Sequence, residues 1–165
     1  MIGCSMKILK SKTDEYLVTL LRKFEEEIMG EAYFYGLAER FPEPHQREKM
    51  IYLARVERHA AEAVRPLLEK YNLEARPDRD LHEIGEKDIE KSYGLGWNGY
   101  VDYMVERFPE YMPEFKTLEA MAPNEDLVEL QILTEHEVAA IEFANLEKAG
   151  DLNSTRPLLA YLERG

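Results

Sequence analysis

Cysteine is nearly missing from this chain: Cys4 is the one thiol in 165 residues. That excludes an internal disulfide framework and a metal knot built from cysteines, and Cys4 itself reads as an inert residue near a loose terminus. Long apolar runs are missing too, since none approaches the roughly 18 residues a membrane-spanning helix requires. The opening stretch MIGCSMKILKSKTDEY has basic residues but no continuous apolar centre, so it does not read as a secretory leader. Together these absences predict a cytoplasmic location. Positive charge is in short supply: 21 Lys and Arg stand against 33 Asp and Glu, a net charge of −12. Phosphate backbones need a basic face, so nucleic acid is excluded as the main partner. No stretch alternates strongly enough to read as a strand.

With 45% hydrophobic and 33% charged residues, the chain reads as one globular domain over 1–165 with a core of its own and a tail over 1–12. The apolar residues recur with helical period. Ser11 to Asp14 has the spacing of a helix start, and a first helix is expected over about 13–40. Its stripe is Leu17, Leu20, Phe24, Phe34, Tyr35 and Ala38, and Phe41-Pro42-Glu43-Pro44 ends it. A second helix follows over about 45–71, bent by Pro66. Residues 74–96 are charged and weakly periodic, a long connection with one short helical piece over 80–92. The third helix starts near Trp97 and carries Val101, Met104, Phe108, Phe115 and Leu118 on its stripe, kinked by Pro109 and Pro113. A fourth helix is expected over about 125–148, closed by Gly150, and a short last one over about 155–163. Four main helices with short first and last links and a long middle crossover form a four-helix bundle.

Carboxylates occupy the apolar stripes. Glu57 sits at the centre of the stripe formed by Met50, Leu53, Ala54, Ala61, Val64 and Leu68. Glu137 is similarly placed among Leu130, Leu133, Ile141 and Ala144, and Glu27 and Glu31 lie on the first helix's stripe. A buried glutamate is costly unless a partner charge, a proton or a metal compensates it. His136 lies on a flank of its helix from which the ring could reach the edge of such a site. His59 points away, and His45 and His82 receive no role. The aromatic residues are core, although Tyr100 and Tyr111 could line a small pocket beside the acids.

Glu27-Ile28-Met29-Gly30 followed by Phe34, Leu37 and Ala38 is similar to the first metal-bearing helix of rubrerythrin-like members of the ferritin superfamily. The order of helices over 13–150 resembles that architecture as well. The resemblance implies an all-α, ferritin-like four-helix bundle holding iron or manganese, and oxygen or peroxide chemistry. In that family the second and fourth helices each carry Glu-x-x-His. Here Ala60 and Ala140 stand at the histidine positions, and the third helix lacks a central glutamate. The reduced set is Glu27, Glu31, Glu57 and Glu137 with His136, and Glu57 and Glu137 are the expected catalytic pair. Two other readings stand beside this oxidoreductase. One keeps the fold without metal and uses Glu57 or Glu137 as acid or base toward a small molecule in the Tyr100 and Tyr111 pocket. The other is a non-enzymatic homodimer module, in which Ile132, Phe143 and Leu146 are apolar residues left over for a partner.

Overall fold

The computed structural model describes the backbone of residues 2–164 and the side chains of residues 13–164. The Cys4 side chain therefore lies outside the described residues. All regular structure among them is helical, as expected. Helix α1 spans Ile2–Arg40. It starts well before the expected site near Thr13, because no proline interrupts the stretch from Ile2 to Asp14. Its large buried apolar residues include Tyr16, Leu20, Phe24, Ile28, Phe34 and Leu37. Tyr35, placed on the stripe by sequence, is 41% exposed, and Ile28 and Leu37 take core positions instead.

Helix α2 runs over Pro44–Lys70. Pro44 occupies the first turn, where its missing N–H costs nothing, and the Glu43 N–H donates to Gln46 Oε1 at 3.4 Å. Pro66 lies within α2 without ending it, and its ring faces solvent. Asn72 stops the helix in the left-handed region, φ 54°. Asparagine tolerates that conformation better than most residues, and it lets the Leu73 N–H reach the Leu68 carbonyl at 2.8 Å.

The long connection carries more helix than expected: α3 over Asp78–Gly85, a 3-10 turn over Glu86–Asp88 and α4 over Ile89–Tyr93. Contact with α1 supplies what periodicity did not show. Leu81 is fully buried. Gly85 sits so close to α1 that a Cβ there would meet the Met29 carbonyl oxygen at 2.1 Å. Arg76 ties the segment to Glu25 and Arg40 to Glu90.

Helix α5 covers Gly96–Arg107 and α6 covers Met112–Met121, separated by a 3-10 turn over Phe108–Tyr111. This is the break that Pro109 and Pro113 predict. A third 3-10 turn over Asn124–Asp126 leads into α7, Leu127–Lys148, which Gly150 closes at φ 77°. Helix α8, Arg156–Leu162, folds back onto α7 and α2. It buries Leu158 and Tyr161, and the Tyr161 hydroxyl donates to the Ile132 carbonyl at 3.0 Å. Phe143 is fully buried and Ile132 packs against the same core. Phe143 is therefore not left over for a partner, whereas Ile132 and Leu146 are half-buried.

The apolar interior falls into two clusters. One gathers Phe34, Leu37, Phe41, Met50, Leu53, Tyr100, Met104 and Phe143. The other gathers Tyr16, Leu20, Phe24, Ile28, Val64, Leu68, Phe115, Leu130 and Leu133. Each fully buried side chain of this size contributes about 1.5–3 kcal/mol relative to exposure. On α1, α2 and α7 the boundary between the clusters falls at the same level, and polar side chains stand there. Among the described residues no helix is long and apolar enough to cross a membrane.

Candidate metal centre

Three helices contribute one group at that boundary. Glu27 comes from α1, Glu57 from α2 and His136 from α7, and one ligand atom from each lies within 4.8 Å of the others. His136 Nε2 is 2.8 Å from Glu27 Oε2 and 3.3 Å from Glu57 Oε2. Glu27 and His136 are buried, while the Glu57 side chain keeps 16% exposure. Gly30, one turn after Glu27, makes the close approach of α2 possible. A Cβ there would stand 3.0 Å from Glu57 Cδ and 3.2 Å from its Oε1. With a larger residue at position 30, the Glu57 carboxylate would have to move away from α1.

The other ring nitrogen fixes the chemistry of His136. Its Nδ1 meets the Leu133 carbonyl oxygen. A carbonyl only accepts, so Nδ1 carries a proton. In the neutral ring Nε2 would then be an unprotonated lone pair facing two carboxylates. Such an arrangement requires something positive at Nε2, either a proton or a cation. Backbone carbonyls commonly hold a ligating histidine in this way, leaving the opposite nitrogen for the metal.

The charges agree. Burial would lower the pKa of His136, but Glu27 and Glu57 hold it well above the ordinary imidazole value. Burial raises Glu57 well above the usual carboxylate range, with the Glu27 charge adding to the effect. Glu137 is pushed up to about 7, chiefly by burial. Glu137 Oε2 is 3.8 Å from His136 Nε2, and its Oε1 is buried with no hydrogen bond. It stands at the rim of the group.

Of the sequence-predicted residues, Glu27, Glu57 and His136 meet and Glu137 adjoins them. Glu31 does not join. It is held by Arg58, whose Nε and a terminal nitrogen donate to its two oxygens at 2.7 and 2.8 Å, with His82 Nε2 at 3.3 Å. That fork satisfies both oxygens and turns Glu31 toward α3. Tyr100 is fully buried in one apolar cluster, stacked on Tyr103 at 5.9 Å, whereas Tyr111 is 40% exposed. Two surface depressions, of about 420 and about 400 Å³, are lined by other residues: Tyr35 and Ile51 in one, Arg156 and Leu159 in the other.

Sequence reasoning assigned nothing to Lys23 and Tyr161. Tyr161 reaches the group from α8, its ring centroid 6.5 Å from that of His136. Burial raises its phenol, and the charges of Glu27 and Glu57 add to the rise. Lys23 is buried one turn before Glu27. A lysine inside an apolar stripe was the available signal for it. Tyr161 lies in a short terminal helix and offered none.

Two carboxylates and an imidazole, drawn from three helices and short of positive charge, make a group that could hold a metal ion. Comparison of the chain with family models, curated proteins and solved structures returned no match.

Proposed function

We propose that the chain is a ferritin-like four-helix bundle that binds iron or manganese through Glu27, Glu57 and His136 and works as a metal-carboxylate oxidoreductase. The supporting observation is the His136 ring, whose Nδ1 proton is committed to the Leu133 carbonyl while Nε2 faces Glu27 and Glu57. In the bundle reading, α1, α2, the interrupted pair α5 and α6, and α7 are the four helices, and residues 74–96 are the crossover. Oxygen and nitrogen donors without thiolate suit iron or manganese. A bound metal of this kind supplies one-electron chemistry toward dioxygen or peroxide.

The chain's residues do the rest. Glu27 and Glu57 neutralise the cation, and the Leu133 carbonyl orients the imidazole. Glu137 can hold or release a proton beside the group, since its carboxyl titrates near 7. Tyr161 and Phe115, each against the His136 ring, exclude water from that side.

Metal analysis of protein from iron- or manganese-supplemented cells tests this reading. Roughly stoichiometric metal is expected in the wild type, and at least a tenfold loss of affinity in Glu57→Gln and His136→Ala. No metal under any supplementation removes the proposal.

A second reading rests on the same geometry, with a proton where the cation would be. Glu57 then holds its proton against Glu27, and the cluster is an acid–base group. In that case Glu57→Gln leaves metal content at zero and makes the protein more stable.

A further inference from the structure

Arg58 directly follows Glu57 on α2, and Glu31 stands one turn after Glu27 on α1, about 6 Å further along the axis. These two neighbours of the metal group are joined to each other. Arg58 Nε is 2.7 Å from Glu31 Oε2, and one terminal nitrogen is 2.8 Å from Oε1. The Glu31 side chain is 9% exposed and that of Arg58 30%. Paired charge-assisted bonds of this kind fix the angle between two groups as well as their distance. The same guanidinium reaches Asp78 of α3 at 2.9 Å and Glu62 of its own helix at 3.2 Å. His82 Nε2, also on α3, lies 3.3 Å from Glu31 Oε1.

The fork matters at this level because the contact beside it can only repel. A Cβ at position 30 would stand 3.0 Å from Glu57 Cδ, so Gly30 sets how near the carboxylate can come to α1 and exerts no pull. On either side of this level apolar residues draw the two helices together, Phe34, Leu37 and Leu53 in one cluster and Phe24, Ile28 and Val64 in the other. Between the clusters that packing gives way to Glu27 and Glu57, two carboxylates that repel each other. There the Arg58 fork supplies the attraction between α1 and α2. Arg76 makes a similar fork onto Glu25, 3.1 Å from each oxygen, but it joins α1 to the connection over 74–96.

We propose that Arg58 is a positioning residue of this centre: through its fork onto Glu31 it sets the spacing of Glu27 and Glu57, and with it the affinity for a divalent ion. The inference rests on the metal-binding reading above and deepens it. Lysine at position 58 keeps the charge but replaces two fixed bonds with a point contact, so Arg58→Lys separates geometry from charge. Supporting contacts behind metal ligands are worth about 10- to 100-fold in affinity.

The test is Mn2+ binding to the metal-free full-length chain by equilibrium dialysis, with chemical denaturation of the same proteins. Arg58→Lys and Glu31→Gln are each expected to bind about tenfold more weakly than the wild type. The double variant is expected to lose no more than the weaker-binding single one, because the same fork is broken in all three. Arg76→Gln, which breaks the fork onto Glu25, is expected to leave affinity unchanged whatever it costs in stability. If one single variant does not fold, the other decides. Wild-type affinity in a folded Arg58→Lys or Glu31→Gln overturns the inference, as do additive losses in the double variant or an equal loss in Arg76→Gln, and the metal reading then stands. No Mn2+ on the wild type overturns both.

Discussion

Two sets of buried carboxylates in this molecule are treated in opposite ways. Asp126, fully buried at the start of α7, accepts hydrogen bonds from Tyr16 at 2.7 Å, Tyr71 at 2.5 Å and Lys70 at 2.6 Å. Burial works to raise its pKa, but the Lys70, Tyr71 and Tyr16 donors prevail and hold it below the ordinary value. Glu57 and Glu137, at the boundary between the two apolar clusters, are held above theirs. Asp126 joins α1, the end of α2 and α7, and its charge is fully answered within the chain. The central group draws together just as many helices, but a single imidazole faces its carboxylates and Glu137 Oε1 is left without a hydrogen bond. A carboxylate satisfied by its neighbours holds a fold together, and one left short of positive charge could take up a proton or a cation.

The largest expected effect falls on the satisfied side. Asp126→Ala strands two tyrosine hydroxyls and a lysine, and chemical denaturation should show a loss of about 3 kcal/mol. Glu137→Gln in metal-free protein should leave stability unchanged or raise it. If both variants lost the same amount, the two sets of carboxylates would not differ in what they do for the fold.

The pH dependence of the two sets should run in opposite directions. Asp126 has a lowered folded pKa, so its contribution is present above the unfolded value near 3.8 and is lost as pH falls through the folded one. Glu137 has a raised folded pKa. Its protonated form favours the folded state below the unfolded value of 4.5, and that advantage disappears as pH rises to about 7. Denaturation of metal-free protein across this window should therefore show stability falling with pH, by up to about 3 kcal/mol for one such group. In Glu137→Gln the fall should be smaller. An unchanged slope would mean that Glu137 does not titrate in this range.

The smallest effect sharpens the comparison. Gly30→Ala puts a methyl group against the Glu57 carboxylate and should weaken metal binding by about tenfold, as displaced supporting contacts do. Stability should change by no more than about 1 kcal/mol, since alanine also favours the helix. Undiminished affinity would show that Glu57 can shift without cost.

Helical period made α2 and α7 readable, together with the break at Pro109 and Pro113, because those segments have one wet and one dry side. It also placed Glu57 and Glu137 inward. It misjudged the neighbours of these acids. His136 was read as flanking Glu137, yet its ring takes the central place and Glu137 the rim, because a helix wheel gives direction and not reach. Glu31 could not be separated from Glu27 by period alone. The Arg58 fork that removes it comes from another helix. The helices of 74–96 were obscured because their charged residues point to water while Leu81, Gly85 and Ile89 make the contacts. Glycine carries no hydropathy signal, and the role of Gly85 emerges only when Met29 is opposite it.

The seat of Gly85 on the Met29 carbonyl reaches beyond the connection that contains it. Met29 stands between Glu27 and Glu31 in the chain, next to the glycine that admits Glu57. A strap that supplies no residue to the group is thus pressed against the turn of α1 that carries Glu27 and Gly30. Bulk added at position 85 would displace that turn, and ion affinity would register a change made in a segment that touches no ion.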